Sequence, residues 1–221
     1  MGGLITGAAE AEPLIWGVQA EQFELRIDDG EEIFAWDFDA VVGTDELKFV
    51  WRSAAEYLTD ASQFETLENQ ARLQVPISTF FDAVAGVRVD TPRGEDRVYG
   101  VIGLKGLAPQ WFEIDADLYL GEASAVRFEA EYEGLITNRV ILTPSVELEV
   151  PLNEDEQLGV GAFAPKLELG ARLSYDLIDR TVSPYIGVHY ERSFGKTADF
   201  ARAEGESRDN LFFVVGSKIL F

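Results

Sequence analysis

His189 is the only histidine among 221 residues, and Glu191 follows it by two positions. In an extended strand a spacing of two places both side chains on one face. Imidazole and carboxylate together form a nitrogen–oxygen donor set suited to a divalent transition metal. Neighbouring strands would have to complete such a site, and Glu168 is the first candidate. Softer chemistry is excluded. The chain has no cysteine and its one methionine is Met1, so no thiolate, thioether or multi-histidine site can be built within it. A lone histidine also serves as an ordinary structural side chain, and that alternative stays open for His189. No serine–aspartate motif accompanies it, so there is no hydrolytic signal and no enzyme is expected.

Strands must position these residues, and apolar–polar alternation recurs along the chain. Phe34, Trp36, Phe38, Ala40 and Val42 share one parity, opposite Asp37 and Asp39. Phe112, Ile114, Ala116, Leu118 and Leu120 alternate with Glu113, Asp115, Asp117 and Tyr119. Val126, Phe128, Ala130 and Tyr132 alternate with Arg127, Glu129, Glu131 and Glu133. Val146, Leu148 and Val150 lie opposite Glu147 and Glu149, and Leu167, Leu169, Ala171 and Leu173 lie opposite Lys166, Glu168 and Arg172. A period of two over so many segments predicts β-strands. The first strand, roughly Ile15 to Ile27, breaks parity at Gln19 and Glu21, as a β-bulge would. About twelve strands result, an even number as in single-chain outer-membrane barrels. The segments from Gln157 to Lys166 and from Ser193 to Asn210 read as loops.

The final strand runs from Leu211 to Phe221 with Leu211, Phe213, Val215, Ile219 and Phe221 on one face. Short connections alternate with longer ones, notably 90–97, 153–165 and 193–210. Trp16, Trp36, Trp51, Trp111, Phe80, Phe81, Tyr175 and Tyr185 fall near strand ends, where membrane barrels carry aromatic belts. Alternation alone does not decide which face is inside, since a soluble barrel would show it too. The terminal aromatic, the strand count and the unequal loops favour a transmembrane antiparallel up-and-down β-barrel spanning 14–221. Residues 1–13 are expected to be a short loose N-terminus without a secretory signal. No internal repeat or linker divides the chain.

Forty acidic against 18 basic residues give a formal charge of −22. That balance excludes a nucleic-acid partner and favours cations. On the barrel expectation, Glu113, Asp115, Asp117, Glu129, Glu131, Glu133, Glu147 and Glu149 form an acidic lumen with Glu168. Arg72, Arg88, Lys105, Arg127 and Arg172 are their basic partners. Such charges must be paired or hydrated. They form either a salt-bridge network that plugs the barrel or a conduit that attracts cations.

Particular stretches carry a resemblance. Gly106-Leu-Ala-Pro-Gln-Trp-Phe-Glu-Ile-Asp-Ala116, Phe128-Glu-Ala-Glu-Tyr-Glu133, Ile136-Thr-Asn-Arg139 and Leu142-Thr-Pro144 resemble the copper resistance protein B family. So do Ser183-Pro-Tyr-Ile-Gly-Val188 and the run from Glu191 to Arg202. The resemblance covers nearly everything from Trp16 onward. It implies an outer-membrane barrel of a bacterial copper-resistance system, with copper ions and lipid as partners. Copper binding and movement through the lumen, or a sealed barrel docking a periplasmic copper protein, would follow, and a monomer is expected. Many members carry a Met- and His-rich N-terminal segment, which this sequence does not show. One histidine with carboxylates suits Cu(II) better than Cu(I), which prefers sulfur.

Overall fold

The computed structural model describes residues 13–28, 30, 32–91, 96–178, 180–205 and 207–221. The expected loose N-terminus lies outside these residues apart from Pro13. So do 92–95 of the loop after Asp90, and position 179 of the turn before Ser183.

Twelve strands form a closed antiparallel barrel in which sequence neighbours pair. They are β1 Ile15–Ile27, β2 Glu32–Gly43, β3 Lys48–Leu58, β4 Gln63–Pro76, β5 Phe81–Thr91 and β6 Arg97–Ala108. Then follow β7 Phe112–Leu120, β8 Ala125–Tyr132, β9 Val140–Pro151, β10 Lys166–Tyr175, β11 Val182–Ser193 and β12 Asp209–Leu220. The two residues Gly134–Leu135 continue β8 against β9 in an unchanged register. Closure joins β1 to β12, and Val18 and Phe221 exchange backbone hydrogen bonds of 2.9 and 2.8 Å.

Which face is inside follows from exposure. Phe213 (68%), Ile186 (62%) and Val215 (55%) stand on the outer surface, whereas Phe212 and Val214 are buried within. Arg52, Arg72, Arg88, Asp115, Asp117 and Arg172 are also buried. An apolar outside around a charged inside is the transmembrane arrangement, the inverse of a soluble barrel.

The expected bulge lies in β1, where the register shifts between Ala20 and Gln22 against β2. Trp16 and Phe23 therefore both face outward despite opposite parity. Glu24 and Arg26 turn inward. The short turns at the rim that holds Ile15 and Phe221 share one device. Thr44, Ser78 and Thr137 each accept backbone N–H groups from two and three residues further on. A hydroxyl placed this way closes a tight turn without glycine.

Aromatics gather at both rims. Trp16, Trp51, Phe80, Trp111, Tyr175 and Phe221 are exposed toward the terminal rim. Phe23, Phe34, Trp36, Phe64 and Tyr57 touch in series nearer the other rim, with ring centroids 5.0–6.0 Å apart. Tyr185 corrects the expectation for this belt. It shares parity with His189, points inward, and its hydroxyl donates to Glu24 Oε2 at 2.8 Å.

The loop from 153 to 165 is found as expected, pinned by a bridge between Asp155 and Val160. The stretch from Ser193 to Asn210 is not all loop, because α1 occupies Gly195–Glu204. Its N-cap residue Phe194 offers no side-chain hydrogen bond, so no start signal marks the helix in the sequence. Tertiary contacts hold it. Ala198 is buried, Thr197 Oγ1 donates to the Ala164 carbonyl and accepts from Gly161 N–H, and Lys196 Nζ lies 2.7 Å from Glu154.

Asp155 straps this loop to the barrel through an ion pair with Arg97. That guanidinium holds the Asp155 carboxyl below the ordinary carboxylate range. A depressed carboxyl contributes stability above its unfolded value and loses it as pH falls through the folded one. The strap is therefore expected to hold through neutral pH and to release only below about pH 4. Amide-exchange protection over 152–165 and α1 checks this, and release already above about pH 5 would contradict it.

Candidate metal centre in the barrel lumen

The lumen is built in tiers, each assembled by strands distant in sequence. In the middle, Arg72 reaches Asp117 at 2.7 Å and Asp115 at 3.3 Å, with its side chain wholly buried. Arg52 joins Asp115 (2.9 Å) and Asp39 (3.1 Å), and Lys105 approaches the same two carboxylates at 3.8 and 3.6 Å. On the opposite wall Arg172 and Arg26 clasp Glu24 at 2.7 and 2.9 Å.

Toward the loop rim, Glu68 lies between Arg88 (2.5 Å) and Arg127 (2.9 Å), and Arg127 also holds Glu149 (2.6 Å) and Glu147 (3.1 Å). Both guanidinium groups sit over the Tyr119 ring, at 4.4 and 5.4 Å from its centroid. Toward the terminal rim, Lys218 Nζ lies 2.8 Å from Glu133 and 3.7 Å from Glu131.

A cavity of about 780 Å³ runs along this interior. Its wall includes Glu113, Asp115, Glu129, Glu131, Glu147, Glu149, Glu168, His189 and Glu191. A smaller cavity of about 280 Å³ opens beside Glu133, and Glu113 and Glu131 line both.

The three anticipated metal ligands converge. Glu168 and Glu191 are direct cross-strand partners on β10 and β11, and His189 stands opposite Gly170. His189 Nε2 is 3.1 Å from Glu191 Oε1 and 3.4 Å from Glu168 Oε2. One donor atom from each residue lies within 4.8 Å of the others. Around a small ion bound at about 2.0–2.2 Å, donors stand at most about 4.4 Å apart. Side-chain shifts of a few tenths of an ångström would close this set on an ion. His189 Nδ1 is buried without a hydrogen-bond partner, whereas Nε2 faces two acceptor carboxylates and so carries the ring N–H that donates to them. A metal bound at Nε2 would take the place of that proton.

All the anticipated acidic and basic residues line the lumen or are buried in it. The arrangement also enlists Glu24, Arg26, Asp39, Arg52, Glu56 and Glu68, absent from the sequence-derived set. Glu24 and Arg26 lie past the bulge, on the polar parity opposite Phe23, Leu25 and Ile27. Asp39 was visible on the polar parity opposite Phe38 and Ala40, whereas Arg52 on β3 and Glu68 on β4 lie outside the alternating runs picked out in the sequence.

A closed twelve-stranded barrel with an apolar exterior and a charged interior is the architecture of outer-membrane porins. Solved structures show the same fold. The NanC porin superposes with a TM-score of 0.57 at 9% identity, covering 93% of this chain and 99% of that one. The KdgM porin gives 0.51 at 11%, with the same coverage. Likeness at that identity speaks for the fold alone.

Sequence relatives go further. A family model described as copper resistance protein B precursor (CopB) matches residues 14–221. Copper resistance protein B of Escherichia coli is 34% identical over 206 residues, 92% of this chain and 69% of that protein. A homologue from Pseudomonas syringae pv. tomato is 34% identical over 204 residues, 91% of this chain and 68% of its own length. The chain belongs to the copper resistance protein B family.

Proposed function

We propose that this barrel sits in the bacterial outer membrane, binds Cu(II) at Glu168, His189 and Glu191, and leads it along an acidic lumen as part of copper resistance. The observation that carries the proposal is the convergence of the only histidine with two carboxylates on the wall of the main cavity. Family membership supplies copper as the metal, and the nitrogen–oxygen donor set favours its divalent state. The path toward the terminal rim runs past Glu113 and Glu131, which line both cavities.

A second reading draws on the buried tier of Arg52, Arg72, Asp115 and Asp117. Such a tier suits a sealed barrel that docks a periplasmic copper protein.

Copper titration of the detergent-folded protein tests the site. Altering groups behind a metal's ligands costs 10–100-fold in affinity, so His189→Ala is expected to weaken Cu(II) binding at least about 100-fold. Unchanged stoichiometry and affinity would remove His189 from the site. In liposomes, copper flux above that of protein-free vesicles supports conduction, and flux at the vesicle baseline supports the sealed barrel.

A further inference from the structure

The carboxylates that face His189 are also held from the other side. Lys166 Nζ lies 2.9 Å from Glu168 Oε1 and 3.1 Å from Glu191 Oε2. Each carboxylate thus gives one oxygen to the imidazole and the other to the ammonium. Arg26 Nη1 stands 3.4 Å from Glu191 Oε1 as well.

We propose that Lys166 is a built-in competitor for the metal. Its ammonium neutralises the two carboxylates while the site is empty and swings away when a dication enters. This rests on the copper-binding reading above and adds how that site is regulated and which charge class it accepts.

Two cations flank the site, and they are not equally movable. Arg26 is 6% exposed and also grips Glu24 and Glu56, at 2.9 and 2.5 Å. Lys166 is 39% exposed, and its ion pairs among the described residues are to Glu168 and Glu191 alone. Its flexible four-carbon stem carries a point charge with no fork to lock it in place. It begins β10 beside the loop rim, and Glu149 stands directly across from it on β9. Glu149 lines the same cavity, and since Arg127 holds its Oε2, its Oε1 is the atom that would receive the displaced ammonium.

The exchange has a charge consequence. A monovalent cation that displaces Lys166 replaces one positive charge with one, and gains little. A divalent cation replaces one with two, between two carboxylates in a partly desolvated wall. The site therefore prefers dications, and the ammonium lowers its affinity for them. A weakened, exchangeable site suits an ion in transit rather than one retained.

The test is Cu(II) titration of the full chain folded in detergent, read by competition with a chelator and by electron paramagnetic resonance. Removing one opposing unit charge at this range is expected to tighten Cu(II) binding about tenfold or more in Lys166→Met. Lys166→Gln should act in the same direction, which guards against a folding defect in either variant. Lys166→Arg, which keeps the charge, should stay near the wild-type affinity. The copper signal should keep its single-nitrogen coupling throughout. If Met and Gln variants bind Cu(II) no more tightly than wild type, while binding still depends on His189, the competitor role is overturned and the site stands. If the wild type binds no Cu(II), or binds it independently of His189, the site itself fails and the competitor role fails with it.

Discussion

Arg72→Leu is expected to destabilise the barrel by about 3–5 kcal/mol, the range seen when one partner of a buried ion pair is removed. The Arg72 side chain is wholly buried and spans Asp115 and Asp117, themselves almost fully enclosed. Leucine fills much of the space but leaves two carboxylates side by side on β7 without the cation they share. Arg52 and Lys105 still reach Asp115, but no other ion pair joins Asp117 among the described residues. The uncompensated charge is therefore chiefly at Asp117. Adding Asp117→Asn should recover a measurable part of the loss. Urea unfolding of the protein in lipid vesicles, followed by tryptophan fluorescence, provides the measurement. A single variant within about 1 kcal/mol of wild type would mean that water already solvates this tier.

Val215→Arg is the second large effect. Val215 lies mid-way along β12 on the outer face, 55% exposed and paired with Leu25 and Ile186. An arginine there meets hydrocarbon and should cost about 2–4 kcal/mol, whereas one nearer an interface should cost about 0–1 kcal/mol. Leu211→Arg supplies the comparison, since it shares the strand and the face but lies near the loop rim. Were the outer face wetted by water instead, both changes would fall within about 0.5 kcal/mol of neutral. Equal small costs at both positions would therefore refute the membrane orientation.

The strands were legible because barrel walls impose a period of two, and the chain keeps it nearly everywhere. Even the parity break at Glu21 announced the bulge. The direction of the faces was not legible from alternation, because soluble and membrane barrels share it. The pairing of lumen charges was not legible either. Arg172 meets Glu24 and Arg26 meets Glu191 across 148 and 165 residues, and those meetings depend on how the ring curves. The meeting of Glu168, His189 and Glu191 was accessible because they sit on adjacent strands, where local parity suffices. Lys166 stood on the same face as Glu168, but its place between two carboxylates needed the β10–β11 register. Helix α1 escaped notice because loops and loop-borne contacts hold it, with little signal of its own.

The bonds between Val18 and Phe221 set the order in which the molecule can be made. Every other adjacent pair of strands is linked by a connection of at most about fifteen residues, so the entropy lost in bringing them together is modest. The β1–β12 seam brings together positions at opposite ends of the barrel sequence, and such non-local pairings form late and slowly. Until it forms, the curled sheet has two free edges of unpaired amides and carbonyls. In hydrocarbon those edges have no water to satisfy them. Completion of the ring is thus the step at which this protein is most exposed to pairing with the wrong strand.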